Sequence, residues 1–201
     1  MTEQDQHQHH EEEELEPSTT PGYKVGEKKT VDELANLDAN DESLRKWKES
    51  LGLGKATGPA DDPRRVVVLQ LAMEVEGRPD IVLDLSSPDS IEHVKKSTFV
   101  IKEGVSYRLK IKFRIQHEIV SGLKYIQNVK RVNSFLAVKS EEMVGSYGPA
   151  AEPYEKIFPV EEAPKGMLAR GQYRVTSKFM DDDKVSHLEW VWQFHIKKDW
   201  E

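Results

Sequence analysis

Residues His187–Trp200 read HLEWVWQFHIKKDW and hold three of the chain's four tryptophans. With a period of two, Leu188, Trp190, Trp192, Phe194 and Ile196 fall on one side, and His187, Glu189, Val191, Gln193 and His195 on the other. The stretch therefore reads as a β-strand with one buried face. Two indoles at i and i+2 fill a sandwich core awkwardly, unless the strands spread and the rings line a cavity. The alternation fits both readings, a solid core and a pocket wall.

Strand patterns extend from this stretch back to about residue 65. They include VVVLQLAMEV, IVLDL, TFVIKE, SYRLKIKFRI, GLKYIQNVKR, SFLAVKSEEMVGSY and GQYRVTSKF. In 106–116, Tyr107, Leu109, Ile111, Phe113 and Ile115 alternate with Arg108, Lys110, Lys112, Arg114 and Gln116, which gives the strand a basic outer face. Turn signals (GRPD, SSPD, KEG, SGL, SYGPAAEP, EEAPKG, DDDK) separate the runs. Many short strands spaced this way predict an all-β fold, an immunoglobulin-like antiparallel β-sandwich over 65–201.

The N-terminal third differs. Residues 1–20 carry Glu3, Asp5, Glu11, Glu12, Glu13, Glu14 and Glu16 and no Lys or Arg. Without these seven, the 36 acidic residues become 29 against 29 Lys and Arg, so the net charge of −7 belongs to this end. Its composition predicts a disordered acidic tail over 1–22, one that repels nucleic acid and attracts basic partners. An arm with two short helical signals, and a linker, follow over 23–64. Thr30 and Glu33 form a capping box for a helix over about 30–37, and Asp38 or Asp41 caps a second over 41–51 with Leu44, Trp47 and Leu51 on one face. Such short helices need a surface to lie against. Residues 52–65, GLGKATGPADDPRR, form a Gly/Pro-rich linker. The chain has no cysteine, no apolar signal-like run and no span of roughly 20 apolar residues, so a soluble, cytosolic protein is expected.

Catalytic signals are weak. Gly54-Lys55 lacks a phosphate loop's earlier glycine, since Glu49 stands there, and has Ala56 in place of Ser or Thr. His7, His9 and His10 have nothing nearby to fix a metal geometry, and Asp181-Asp182-Asp183 reads as a solvated turn before it reads as a calcium site. No acid–base pair stands out. The expectation is a non-enzyme without metal or cofactor.

Six segments resemble the Rho GDP-dissociation inhibitors: DESLRKWKESL (41–51), FVIKEGVSYRLKIKF (99–113), EIVSGLKYIQ (118–127), MVGSYGP (143–149), PVEEAPKGMLARG (159–171) and DDDK with HLEW (181–190). They follow in family order, and YKVGEKKT (23–30) and the LGLG junction look most like fungal members. The resemblance implies an immunoglobulin-like sandwich with a flexible N-terminal arm, and a regulatory role for that arm. The implied partner is a geranylgeranylated Rho-family GTPase in its GDP form. The implied activity is to slow GDP release and to carry the GTPase off membranes into the cytosol, as a monomer when free.

By motif match, Met73, Phe99, Tyr107, Ile119, Val175, Trp190 and Trp192 would line a prenyl pocket between the sheets. Tyr23, Asp41, Ser43 and Leu44, with Asp182 and Asp183, would contact the GTPase switch regions. The sequence departs from the animal pattern at Gln172 and Thr98, where animal members have serines, and at Glu142, where a pocket-edge tyrosine is common. Residues 128–140 also differ, which leaves the rim around 128–142 open. A more promiscuous prenyl-protein carrier is one alternative, though it has no need of DESLRKWK. A carbohydrate-binding or purely structural sandwich is another.

Overall fold

The computed structural model describes Leu15, Pro17, 41–43, 58–59, 61–132, 134 and 137–201. Among the described residues, nine strands form two sheets. The first has the order β2 (Ile81–Asp84), β1 (Val66–Val75), β4 (Ser106–Ile115), β7 (Tyr154–Glu162), and all its pairings are antiparallel. The second runs β3 (Thr98–Lys102), β9 (Ser186–Lys197), β8 (Gly171–Met180), β5 (Val120–Arg131), β6 (Ala137–Tyr147). It is mixed, because β3 lies parallel to β9 with Phe99 opposite Phe194. The architecture is the all-β, immunoglobulin-like sandwich that the alternation predicts.

Two elements depart from the sequence reading. Helix α1 (Pro88–Lys96) stands where only the turn signal SSPD was legible. The same residues start it: the Ser87 side chain accepts from the Ser90 N–H, and Pro88 occupies the first turn, where no N–H is missed. It packs on β9 and β2 and buries Val94. Strand β7 was also absent from the predicted set. It is an edge strand with only Phe158 fully buried, and an edge tolerates Pro159, which cannot donate to a ladder.

The two sheet faces meet in one core that includes Leu71, Ile111, Phe113, Tyr125, Val175 and Phe179. On the outer face of β4, Arg108 pairs with Glu74 at 2.6 Å, and Lys110 pairs with Glu74 and Asp80 at 3.0 and 2.6 Å. Hydrogen bonds from Arg108 and then Lys110 hold the Glu74 carboxyl down at about 2. Gln116 departs from the expected outward alternation. It lies past the strand end, is buried, and its Nε2 donates to the Arg64 carbonyl at 2.9 Å, which ties down the linker.

In the N-terminal third, Asp41 Oδ1 accepts the Ser43 N–H at 2.9 Å, and Glu42 and Ser43 are helical, which is the geometry of a capping residue. The expected helix over 30–37, and the rest of the one over 41–51, lie outside the described residues. Within the acidic tail, Leu15 is buried with Ile126 and Met180, on the opposite face of the five-stranded sheet from Tyr125. Composition predicted no such contact. Leu15 is the one branched aliphatic residue in 1–22.

Candidate functional site: a cavity at one end of the sandwich

The sandwich is packed differently at its two ends. Where β4 and β8 finish and β7 begins, aromatic rings fill the space. Phe113 meets Tyr147 edge-on at 5.1 Å, Phe179 at 5.4 Å and Tyr154 at 5.9 Å. At the other end, where β1, β5 and β9 finish, the sheets enclose a cavity of about 600 Å³. Its walls come from β1 and β4 on one side (Met73, Leu109) and from β5, β8 and β9 on the other (Val129, Val175, Trp192, Phe194). Glu161, Arg131 and Ser134 are among its polar lining residues. The volume lies within the ~300–1,000 Å³ typical of small-molecule sites.

The two indoles have different surroundings. Trp192 lines the cavity, and its Nε1 donates to Ser177 Oγ at 3.1 Å. Ser177 is fully buried and lies 3.0 Å from the Tyr125 hydroxyl, which donates to Gln127 Oε1 at 3.2 Å. An amide oxygen only accepts, so the Tyr125 proton is committed to Gln127 and Ser177 donates to Tyr125. The polar chain thus runs in one direction, Trp192 to Ser177 to Tyr125 to Gln127. Burial pushes the Tyr125 phenol well above its ordinary range, so it stays a neutral donor. Trp190 lies one layer deeper. It stacks on Tyr125 at 5.9 Å, and Tyr125 in turn packs on Phe158 at 5.4 Å. This layer separates the cavity from the aromatic end.

Of the seven residues assigned to the pocket by motif match, Met73, Tyr107, Val175 and Trp192 line the cavity. Trp190, Phe99 and Ile119 lie outside its lining. Phe99 is half-buried on the edge strand β3, and Ile119 precedes β5 at the aromatic end. At the mouth, the Tyr107 hydroxyl donates to Glu161 at 2.6 Å. Burial and then that carboxylate push the Tyr107 phenol far up. The sequence reading missed Tyr173 and Phe194, whose rings stack at 5.0 Å and 6° as part of the wall. Phe194 was visible as an inward residue of β9, but nothing in the pattern separates a wall from a core.

The acidic turn sits at the aromatic end. Asp181 is buried. It accepts the Val185 N–H at 3.0 Å and pairs with His187 at 2.9 Å and Arg65 at 3.3 Å. Burial opposes its ionisation, but the His187 and Val185 hydrogen bonds and the Arg65 charge more than offset this and hold its carboxyl below the usual range. The Arg65 guanidinium and the His187 ring therefore engage the first carboxylate of the run. Asp182 is half-buried and Asp183 exposed. The Asp182 carboxylate lies over Gly122, where an added Cβ would clash with its Oδ2. Asp41 and Ser43 are exposed, and Tyr23 and Leu44 lie outside the described residues. Among the described residues, no helix is long and apolar enough to cross a membrane.

Comparison with known proteins adds to this geometry. A family model described as "RHO protein GDP dissociation inhibitor" matches residues 4–199. The chain is 51% identical over 179 residues to "Rho GDP-dissociation inhibitor 1" of Homo sapiens, covering 89% of this chain and 86% of that one. It is 46% identical over 181 residues to the "Rho GDP-dissociation inhibitor" of Schizosaccharomyces pombe, covering 90% and 88%. The protein of that name from Saccharomyces cerevisiae is 46% identical over 184 residues, covering 88% and 90%. Nearly the whole sandwich and much of the N-terminal third fall within these matches, and the chain belongs to the Rho GDP-dissociation inhibitor family.

Proposed function

We propose that this chain binds Rho-family GTPases in their GDP form and takes their C-terminal geranylgeranyl group into the cavity between its sheets. In doing so it withdraws them from membranes into the cytosol. The observation that carries this reading is the apolar cavity at one end of a sandwich whose other end is packed with rings. A chain of about twenty carbons, at ~0.8 kcal/mol per buried CH₂, supplies a gross driving force on the order of 16 kcal/mol. A bilayer offers the lipid much the same gain, so the cavity alone competes with a membrane roughly evenly. Contacts with the folded GTPase have to tip the balance.

Those contacts belong at the aromatic end. Tyr23, Asp41, Ser43 and Leu44 of the arm, with Asp182 and Asp183 of the β8–β9 turn, would hold the switch regions and hinder GDP release. The arm's linker enters beside this turn, since Arg65 pairs with Asp181. From Ser186 to Phe194 the sheet spans roughly 27 Å at ~3.4 Å per residue. A partner held at one end therefore needs an extended C-terminal segment to reach the cavity at the other. Ordering the arm on binding has an entropic cost, which makes the clamp reversible. The acidic run would attract the basic segment beside the prenylated cysteine and loosen its hold on anionic lipid.

A carbohydrate platform is disfavoured, because both indoles are about 2–3% exposed and neither presents a ring to solvent. A general prenyl carrier has no use for the arm motif. The test compares prenylated with unprenylated Rho in a pull-down and follows GDP release. Capture of the prenylated form with slowed release is expected. Equal capture of both forms, or unchanged release, contradicts the reading.

A further inference from the structure

The outer face of the five-stranded sheet, turned away from the cavity, carries a pattern that the prenyl reading does not use. Ile126 and Met180 form a small apolar spot there, and Leu15 covers it. Leu15 is 1% exposed and follows directly on Glu11-Glu12-Glu13-Glu14. The strand registers place the surrounding residues in rows across this face. One row holds Met143, Lys124 and Met180; the next holds Glu141, Ile126, Lys178 and Glu189. Beyond these come Lys139, Asn128 and Thr176, and then Lys130 with Arg174. Within these four rows, five basic residues (Lys124, Lys130, Lys139, Arg174, Lys178) thus stand with two acidic ones, Glu141 and Glu189. Lys124 pairs with Glu141 at 3.1 Å, and Lys178 approaches Glu189 at 3.8 Å. The surplus of positive charge lies on the side of Lys130, Lys139 and Arg174.

We infer that this face is the docking surface for the chain's own acidic tail: Leu15 anchors in the Ile126–Met180 spot, and Glu11–Glu14 lie over the basic rows. The reach agrees. Four residues before Leu15 extend at most ~14 Å, and Ile126 to Lys130 spans roughly 13 Å along β5. The charges agree too, with four carboxylates meeting rows that carry three net positive charges. Each partner accounts for the other. A basic outer face with an apolar spot would attract foreign acidic segments, and an acidic tail with one leucine has a place there to bury it. Capture of a basic GTPase segment by the same run then has to displace this contact. That consequence rests on the proposed function; the contact itself does not.

The chain has no cysteine, so single thiols report cleanly. Full-length Met180→Cys should react slowly with a small thiol reagent, and adding Leu15→Asp should speed the reaction at least tenfold. Independently, a spin label on full-length Glu12→Cys leaves the sheet native. It should broaden the backbone amide signals of Lys130, Lys139 and Arg174, and about 1 M salt, where the Debye length is ~3 Å, should relieve the broadening. Equal thiol reactivity with either tail overturns the docking, as do amide signals that stay sharp beside the label. Neither readout involves GTPase or lipid, so failure here is distinct from failure of the prenyl reading.

Discussion

Trp192 donates its indole N–H to Ser177 across the β8–β9 pair, while Trp190, two residues earlier on the same face, stacks on Tyr125 instead. The two rings divide the interior between them. The hydrogen bond fixes one as a wall beside open space, and stacking holds the other in the layer that closes that space off.

Ser177 is therefore the hinge of the buried polar chain. Ser177→Ala removes the acceptor of Trp192 and the donor to Tyr125 in one step, at a fully buried position. The expected loss is about 1–3 kcal/mol of stability, read from urea denaturation. Ser177→Thr keeps the hydroxyl and should lose less.

Leu109 faces the cavity from β4. Leu109→Trp should fill it and weaken geranylgeranyl-cysteine binding at least tenfold. The added ring enters open space, so destabilisation should stay at or below the ~1–3 kcal/mol usual for overpacking. A larger loss in thermal unfolding would mean that the interior is already full.

Gly122 holds the acidic turn in place. Its φ of +60° and the Asp182 carboxylate above it leave no room for a side chain. Gly122→Ala should cost about 1–2 kcal/mol from the left-handed backbone alone, and more from displacing Asp182. On the proposed function, GTPase affinity should fall while binding of free prenyl-cysteine stays unchanged. Calorimetry with each ligand separates the two.

The carboxyl of Asp181 is depressed in the fold. A depressed carboxylate contributes stability that is fully present above its unfolded value, near ~3.9, and is lost as pH falls through the folded value. Urea midpoints measured against pH should therefore fall more steeply below about pH 4 in the native protein than in Asp181→Asn. Other depressed carboxylates such as Glu74 are common to both proteins and drop out of the difference.

Most strands were legible because an inward face packed against a second sheet enforces strict alternation, as in Tyr107 through Ile115. Strand β7 was not, because an edge strand with one buried ring leaves little periodicity. Helix α1 was hidden because Ser87-Pro88-Asp89 is equally a turn and a helix start. Within the site, Met73, Tyr107, Val175 and Trp192 could be placed from motif resemblance. The distinct role of Trp190 could not, because alternation tells which side a ring faces and not what lies opposite it. Tyr125 and Phe158, on two different sheets, settle that.

The most direct measurement is a titration of the full-length protein with geranylgeranyl-cysteine methyl ester, followed by tryptophan fluorescence in the native chain, Trp190→Phe and Trp192→Phe. A saturable change is expected that survives in Trp190→Phe and largely disappears in Trp192→Phe. A flat titration of the native protein, with its fluorescence indifferent to the lipid, would contradict the account.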